Sequence, residues 1–173
     1  MTTKSEEAKA LFKSGANCAQ SVVGAYAKEC GLDFDRAMQL ASSFGAGMGR
    51  LREVCGAVSG MFMVIGLKEG YCDLKSKAAK DKHYERVQAL AAEFKSKTGS
   101  LICRELLGLS RGADSPVSEE RTADYYKRRP CTEIVGLAAQ ILEDHVRASA
   151  DRPTGGRSNG EDDMSCENGT FIR

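Results

Sequence analysis

Helical spacing of apolar residues runs along almost the whole chain, from about residue 5 to about residue 148. No stretch alternates with period two for long enough to make a strand. An amphipathic segment over 5–14 ends at Gly15. Asn17 is a good N-cap for a helix through CAQSVVGAYAKEC, with Gly31 as its stop. Asp33 or Asp35 starts the next helix, which carries Ala37, Met38, Ala41 and Phe44. After the glycine loop GAGMGR, an apolar helix is predicted from about Glu53 to Lys68. A long helix follows over Leu74 to Lys97, with Val87, Leu90, Ala91 and Phe94 as its core stripe. Ser100 caps a short helix in LICRELLG, and Ser118 opens a polar one that stops before Pro130. The last helix, CTEIVGLAAQILEDHVRA, turns Ile134, Leu137, Ala138, Ile141 and Leu142 inward. The expected fold is all-α: one compact bundle of about six helices over residues 1–149. Residues 150–173 hold Pro, Gly, Ser, Asn and charges without a period, and are expected to form a disordered tail.

Charge and composition narrow the function. The 173 residues carry 25 basic and 24 acidic side chains, a net charge of +1, which argues against nucleic acid or an anionic membrane as the main partner. Trp is absent and aromatics are 6%, too few for base-stacking platforms. The N-terminal segment MTTKSEEAKALFKSG lacks the apolar core of a secretory signal, and the apolar run at 57–67 is too short to span a bilayer. The expected location is the cytoplasm, where thiols are kept reduced. Seven cysteines, an odd number, fit ligands, catalysts or core residues better than a fully paired disulfide framework.

Four of those cysteines fall near predicted helix starts: Cys18, Cys55, Cys103 and Cys131. Cys55 is expected one turn into its helix, in line with Ser59 and Phe62. Free N–H groups and the helix dipole favour negative charge at such positions. Lys127, Arg128 and Arg129 precede Cys131 and should depress its thiol further. Gly56 and Gly60 make a bare stripe, which admits a close helix or a bulky inorganic group. Gly45, Gly47 and Gly49 can turn tightly and offer N–H groups to an anion, so the five glycines form a candidate cofactor cradle. The plainer reading is close helix packing, with cysteine as a small hydrophobe. GAGMG follows a helix and lacks the G-x-G-x-x-G spacing, and no Gly-Lys-Ser/Thr follows, so neither nucleotide fingerprint is present. There is no C-x-x-C, and His83 and His145 have charged neighbours and are not taken as ligands. Cys30, Cys72 and Cys166 sit at a helix end, a turn and the tail.

The segments GANCAQSVV, FGAGMGRLREVCGAVSGMFMVIGLKEG, CRELLG and CTEIVGLAAQIL resemble the C_GCAxxG_C_C family, whose name records four cysteines in this order. Its CGAxxG motif matches residues 55–60, and the likeness covers roughly residues 5–147. The resemblance implies a redox role with Cys18, Cys55, Cys103 and Cys131 as the functional set, and leaves Cys30, Cys72 and Cys166 outside it. The leading expectation is that the four are metal ligands for an iron–sulfur cluster, most simply [2Fe–2S], that transfers electrons. The alternatives are a metal-free dithiol protein with Cys131 as nucleophile, or a structural four-cysteine zinc site in an interaction domain. The partner expected is a redox protein of open identity, without nucleic acid or membrane insertion. A homo-oligomer and a role as an enzyme both stay open.

Overall fold

A computed structural model describes residues 2–110 and 112–150. The expected tail over 150–173 thus lies outside the described residues, apart from Ala150 at the end of the last helix, and so does Cys166. The described chain is helical, with one isolated antiparallel bridge, between Val54 and Ile102. Six helices have eight residues or more: α1 (Lys4–Lys13), α2 (Cys18–Tyr26), α3 (Phe34–Ala41), α4 (Gly56–Glu69), α5 (Lys77–Thr98) and α8 (Cys131–Ala150). Two short ones, α6 (Cys103–Leu106) and α7 (Ala123–Arg128), lie between α5 and α8.

Local signals set most starts. Thr3 caps α1 in a capping box with Glu6, and Asn17 caps α2 in another with Gln20. Asp33 caps α3 and Ser76 caps α5 through their side chains. Several boundaries differ from the sequence expectation: α5 begins at Lys77, after the Ser76 cap, and not at Leu74, and the N-cap of α6 is Ile102, with Ser100 two residues before it. Helix α2 stops at Tyr26, because the backbone folds back through Leu32 N–H to Ala27 O, with Gly31 at φ +65°. Helix α7 begins after Thr122, whose Oγ1 accepts from Tyr125 N–H, and Ser118 stays outside it. Helix α4 begins three residues later than expected, for a reason that belongs to the site below.

Helix α1 packs along α2 and α8, and α2 lies flat against α4. Their contacts bury Phe12, Val22, Val58, Met61, Ile65, Ile141 and Leu142, and α5 adds Leu90 and Phe94. Each such large side chain contributes about 1.5–3 kcal/mol on burial. Tyr26 is buried with them, and its hydroxyl donates to Ala139 O at 2.8 Å, so its polar end is satisfied. Among the described residues no helix is long and apolar enough to cross a membrane.

Candidate functional site

Cys18, Cys55, Cys103 and Cys131 all line one cavity of about 260 Å³. Each reaches it from the start of a helix. Cys18, Cys103 and Cys131 are the first residues of α2, α6 and α8, and Cys55 is the N-cap of α4. The placement of Cys55 corrects the expectation that it lies one turn inside. Residues 53–55 are held extended against the chain entering α6: Cys55 N–H donates to Leu101 O at 2.8 Å and Cys103 N–H to Glu53 O at 2.6 Å. These bonds use the backbone groups that an earlier helical turn would have needed, and they tie the two cysteine-bearing segments together.

Why the residues after Cys55 are so small follows from the packing. A Cβ on Gly56 would lie 2.8 Å from Phe44 O and 3.0 Å from the Cβ of Cys18. One on Gly60 would lie 2.9 Å from Ala19 O and 3.0 Å from the Cβ of Val22. The bare face of α4 therefore lets α2 approach until Cys18 and Cys55 share a wall. Of the five candidate cradle glycines, Gly45 and Gly56 line the cavity, while Gly47, Gly49 and Gly60 are not among its lining residues. Gly47 (φ +70°) packs on Cys103, where a Cβ would come 2.6 Å from that of the cysteine. Gly49 is exposed.

The glycine loop is a left-handed segment as well as a turn. Ala46, Met48, Arg50 and Arg52 all have positive φ, a conformation that costs a non-glycine residue roughly 1 kcal/mol or more. The segment turns Arg52 inward, where it is 2% exposed. Its guanidinium pairs with Asp114 at 2.6 Å, and its Nη1 stands 3.9 Å from Cys103 Sγ. Arg50 also reaches Asp114, at 3.3 Å, and its backbone carbonyl accepts from Asp114 N–H at 3.0 Å. Arg121 and Arg129 line the cavity too. Arg121 donates to Phe12 O and Ala16 O, both at 3.3 Å, and stacks over the Phe12 ring. Arg129 pairs with Glu119. Of the three basic residues before Cys131, only Arg129 reaches the cavity; Lys127 and Arg128 are exposed outside it. Arg50, Arg52, Arg121 and Tyr125 are lining residues that sequence reasoning missed.

The four thiols are not equivalent. Cys55 and Cys103 are 5% and 6% exposed, whereas Cys18 and Cys131 keep partial access to solvent. Cys131 is pulled down to about 7: the Cys18 thiol donates toward it, and Arg129, Arg121 and Arg52 add positive charge against the opposing effect of burial. Cys18 moves well upward for the complementary reason, since its proton serves Cys131, and burial adds to the shift. Burial pushes Cys55 up to about 12, despite the N–H groups of Ala57 and Val58. Burial also raises Cys103, against the pull of Arg52. Cys30 lies apart, at the end of the turns after α2, and Cys72 lies in the loop between α4 and α5; neither lines the cavity.

Among the described residues, no three His, Cys, Asp or Glu side chains come together closely enough to hold a metal ion. A zinc site of four cysteines, which needs all four sulfurs around one ion, does not fit the side chains as they lie. A cluster spreads its ligands over several irons bridged by sulfide, so its donors face a common space without converging on one point. The four cysteines that would hold such a cluster all line this cavity.

No curated protein and no solved structure matches the chain. The model of the family described as "Putative redox-active protein (C_GCAxxG_C_C)" matches residues 16–145, and the chain, whose four cysteines of that pattern share one cavity, belongs to this family.

Proposed function

We propose that this is a thiol–disulfide redox protein in which Cys131 is the nucleophile and Cys18 the resolving thiol. The supporting observation is that Cys18 and Cys131, which hydrogen-bond to each other, are half-buried residues on the wall of a cationic cavity, while Cys55 and Cys103 are buried. At neutral pH, Cys131 has already lost much of its proton to solvent. Its thiolate attacks one sulfur of a disulfide; the S–S bond breaks, and the first leaving thiolate departs with the electron pair and takes up a proton. Cys18 then gives up its proton and attacks the Cys131 sulfur, expelling the second thiolate, which is protonated in turn. One disulfide becomes two thiols, and the Cys18–Cys131 pair takes on the disulfide, a two-electron exchange. Helix starts at both sulfurs and the nearby guanidinium groups favour the thiolate that carries the reaction.

The test is to titrate reduced protein with a small disulfide and map the bonds by mass spectrometry. Cys18→Ser should stop at a mixed disulfide on Cys131, and Cys131→Ser should form none. Cys55→Ser and Cys103→Ser should still close the pair. Closure of any other pair overturns the assignment.

A second reading, an iron–sulfur electron-transfer centre, is favoured by a different observation. Four thiols line the cavity where a dithiol needs two. Cys18, Cys55, Cys103 and Cys131 would hold the cluster, which would supply one-electron transfer. Four thiolates make a bound cluster anionic, and the arginines of the lining suit that charge. Anaerobic purification with an absorption spectrum and iron and sulfide analysis decides it: a brown protein that loses iron with any one of the four Cys→Ser changes supports the cluster, and a colourless one supports the dithiol.

A further inference from the structure

We infer that the cavity is built to take a small disulfide bearing carboxylates, an inference that rests on the thiol–disulfide reading. The charge count around the space points there. Arg50, Arg52, Arg121 and Arg129 line it, and the carboxylates paired with them are Asp114, shared by Arg50 and Arg52, and Glu119, on Arg129. Four cations thus face two carboxylates, and the wall keeps a positive excess even with Cys131 as the thiolate. Among the described residues no carboxylate pairs with Arg121. Its guanidinium is nevertheless fixed in place, by two backbone carbonyls and by the Phe12 ring 4.5 Å away. A guanidinium has five N–H donors, so a held Arg121 with two carbonyl partners has donors to spare for a carboxylate. Asn17, Ser42 and Ser118 add neutral polar groups to the same lining. At about 260 Å³ the cavity falls just below the range of about 300–1,000 Å³ for small-molecule sites, which favours a small ligand over a polypeptide loop.

Three small disulfides of similar size and different charge test this: dithiodiglycolate (two negative charges), hydroxyethyl disulfide (neutral) and cystamine (two positive charges). The rate of mixed-disulfide formation at Cys131 is measured for each and divided by the same reagent's rate with a neutral free thiol, which removes differences in leaving group. The ratio of dianion to dication also cancels the thiolate fraction of Cys131, so it reports recognition alone. Native protein should favour the dianion by at least about tenfold, and high salt should collapse the preference. Arg121→Gln should reduce the ratio several-fold, and Arg121→Lys should restore much of it. If Arg121→Gln fails to fold, the salt titration of native protein and the Arg129→Gln variant carry the test. A ratio near one in native protein overturns the inference and leaves the dithiol reading standing. Failure of all three reagents to modify Cys131 overturns the dithiol reading itself.

Discussion

Two glycines of the same helix, α4, offer a test in which one chemical change has opposite signs. Gly60 faces α2, where an added Cβ would come 2.9 Å from Ala19 O and 3.0 Å from the Cβ of Val22. Gly66 has nothing within 4 Å of that position. Replacing a mid-helix glycine with alanine gains about 0.5–1 kcal/mol from backbone entropy and propensity. Gly66→Ala should keep that gain in full. Gly60→Ala must also force apart two helices, at a point where the nearest atom is backbone and cannot rotate away. Overpacking of this kind costs about 1–3 kcal/mol, so the net change should be a loss of roughly 1 kcal/mol. The two variants should therefore differ by about 2 kcal/mol, or roughly 4–8 °C in thermal midpoint for a domain of this size. Urea unfolding under reducing conditions measures the gap without thiol chemistry intervening, and midpoint shifts at constant slope would report stability alone. Equal stabilisation by both substitutions would refute the close helix contact, and with it the account of why small residues follow Cys55.

Other outcomes follow from the charges of the site. Mass-mapped alkylation of Cys131 should rise through a midpoint at about pH 7, and Cys18→Ala should move that midpoint up towards the ordinary 9.0, while Cys18→Ser, which keeps a donor, should move it less. Because Cys131 is depressed on folding, the unfolded chain binds the extra proton between about pH 7 and 9, so this thiol stabilises the fold above 9 and loses that contribution as pH falls through 7. Cys18, Cys55 and Cys103 are raised and act in the opposite sense, lowering stability as pH rises past 9; the unfolding midpoint measured against pH should therefore climb and then fall, and Cys131→Ser should remove the climb. Asp114→Ala leaves the buried Arg52 without its carboxylate and should lower the thermal midpoint more than Glu133→Ala, which removes only the exposed partner of Lys9. Cys30→Ser should leave thiol exchange at the cavity unchanged, and slowed Cys131 reaction in that variant would tie Cys30 to the site.

Much of the fold was legible because it is local. Asn17 and Asp33 announce helix starts by side chains that accept the first free N–H groups, and Gly99 at φ +88° ends α5 where a left-handed residue is needed. Cys131 could be placed at a helix start from Pro130 alone, since proline has no N–H to satisfy and precedes the first turn at no cost. The glycine spacing at 56 and 60 showed that one face of the helix was bare, without showing which neighbour it received. Arg121, by contrast, gave no signal. It sits in a polar stretch away from every cysteine of the pattern, and only the packing of the chain against α1 brings it to the cavity.

By itself, then, the sequence determined the main helices, the caps at Asn17 and Asp33 and the arrival of four thiols near helix starts, because hydrophobic period and capping act over a few residues. Tertiary structure decided which thiols meet. Cys18 and Cys131 lie far apart in the chain and pair because α1 packs against both α2 and α8, which also touch each other. Cys55 lies before its helix because residues 53–55 bond to residues 101–103, a partnership that no local propensity records. The positive charge that separates Cys131 from its three companions is likewise assembled in space, from Arg52, Arg121 and Arg129, and Coulomb forces depend on distance through the fold and not along the chain.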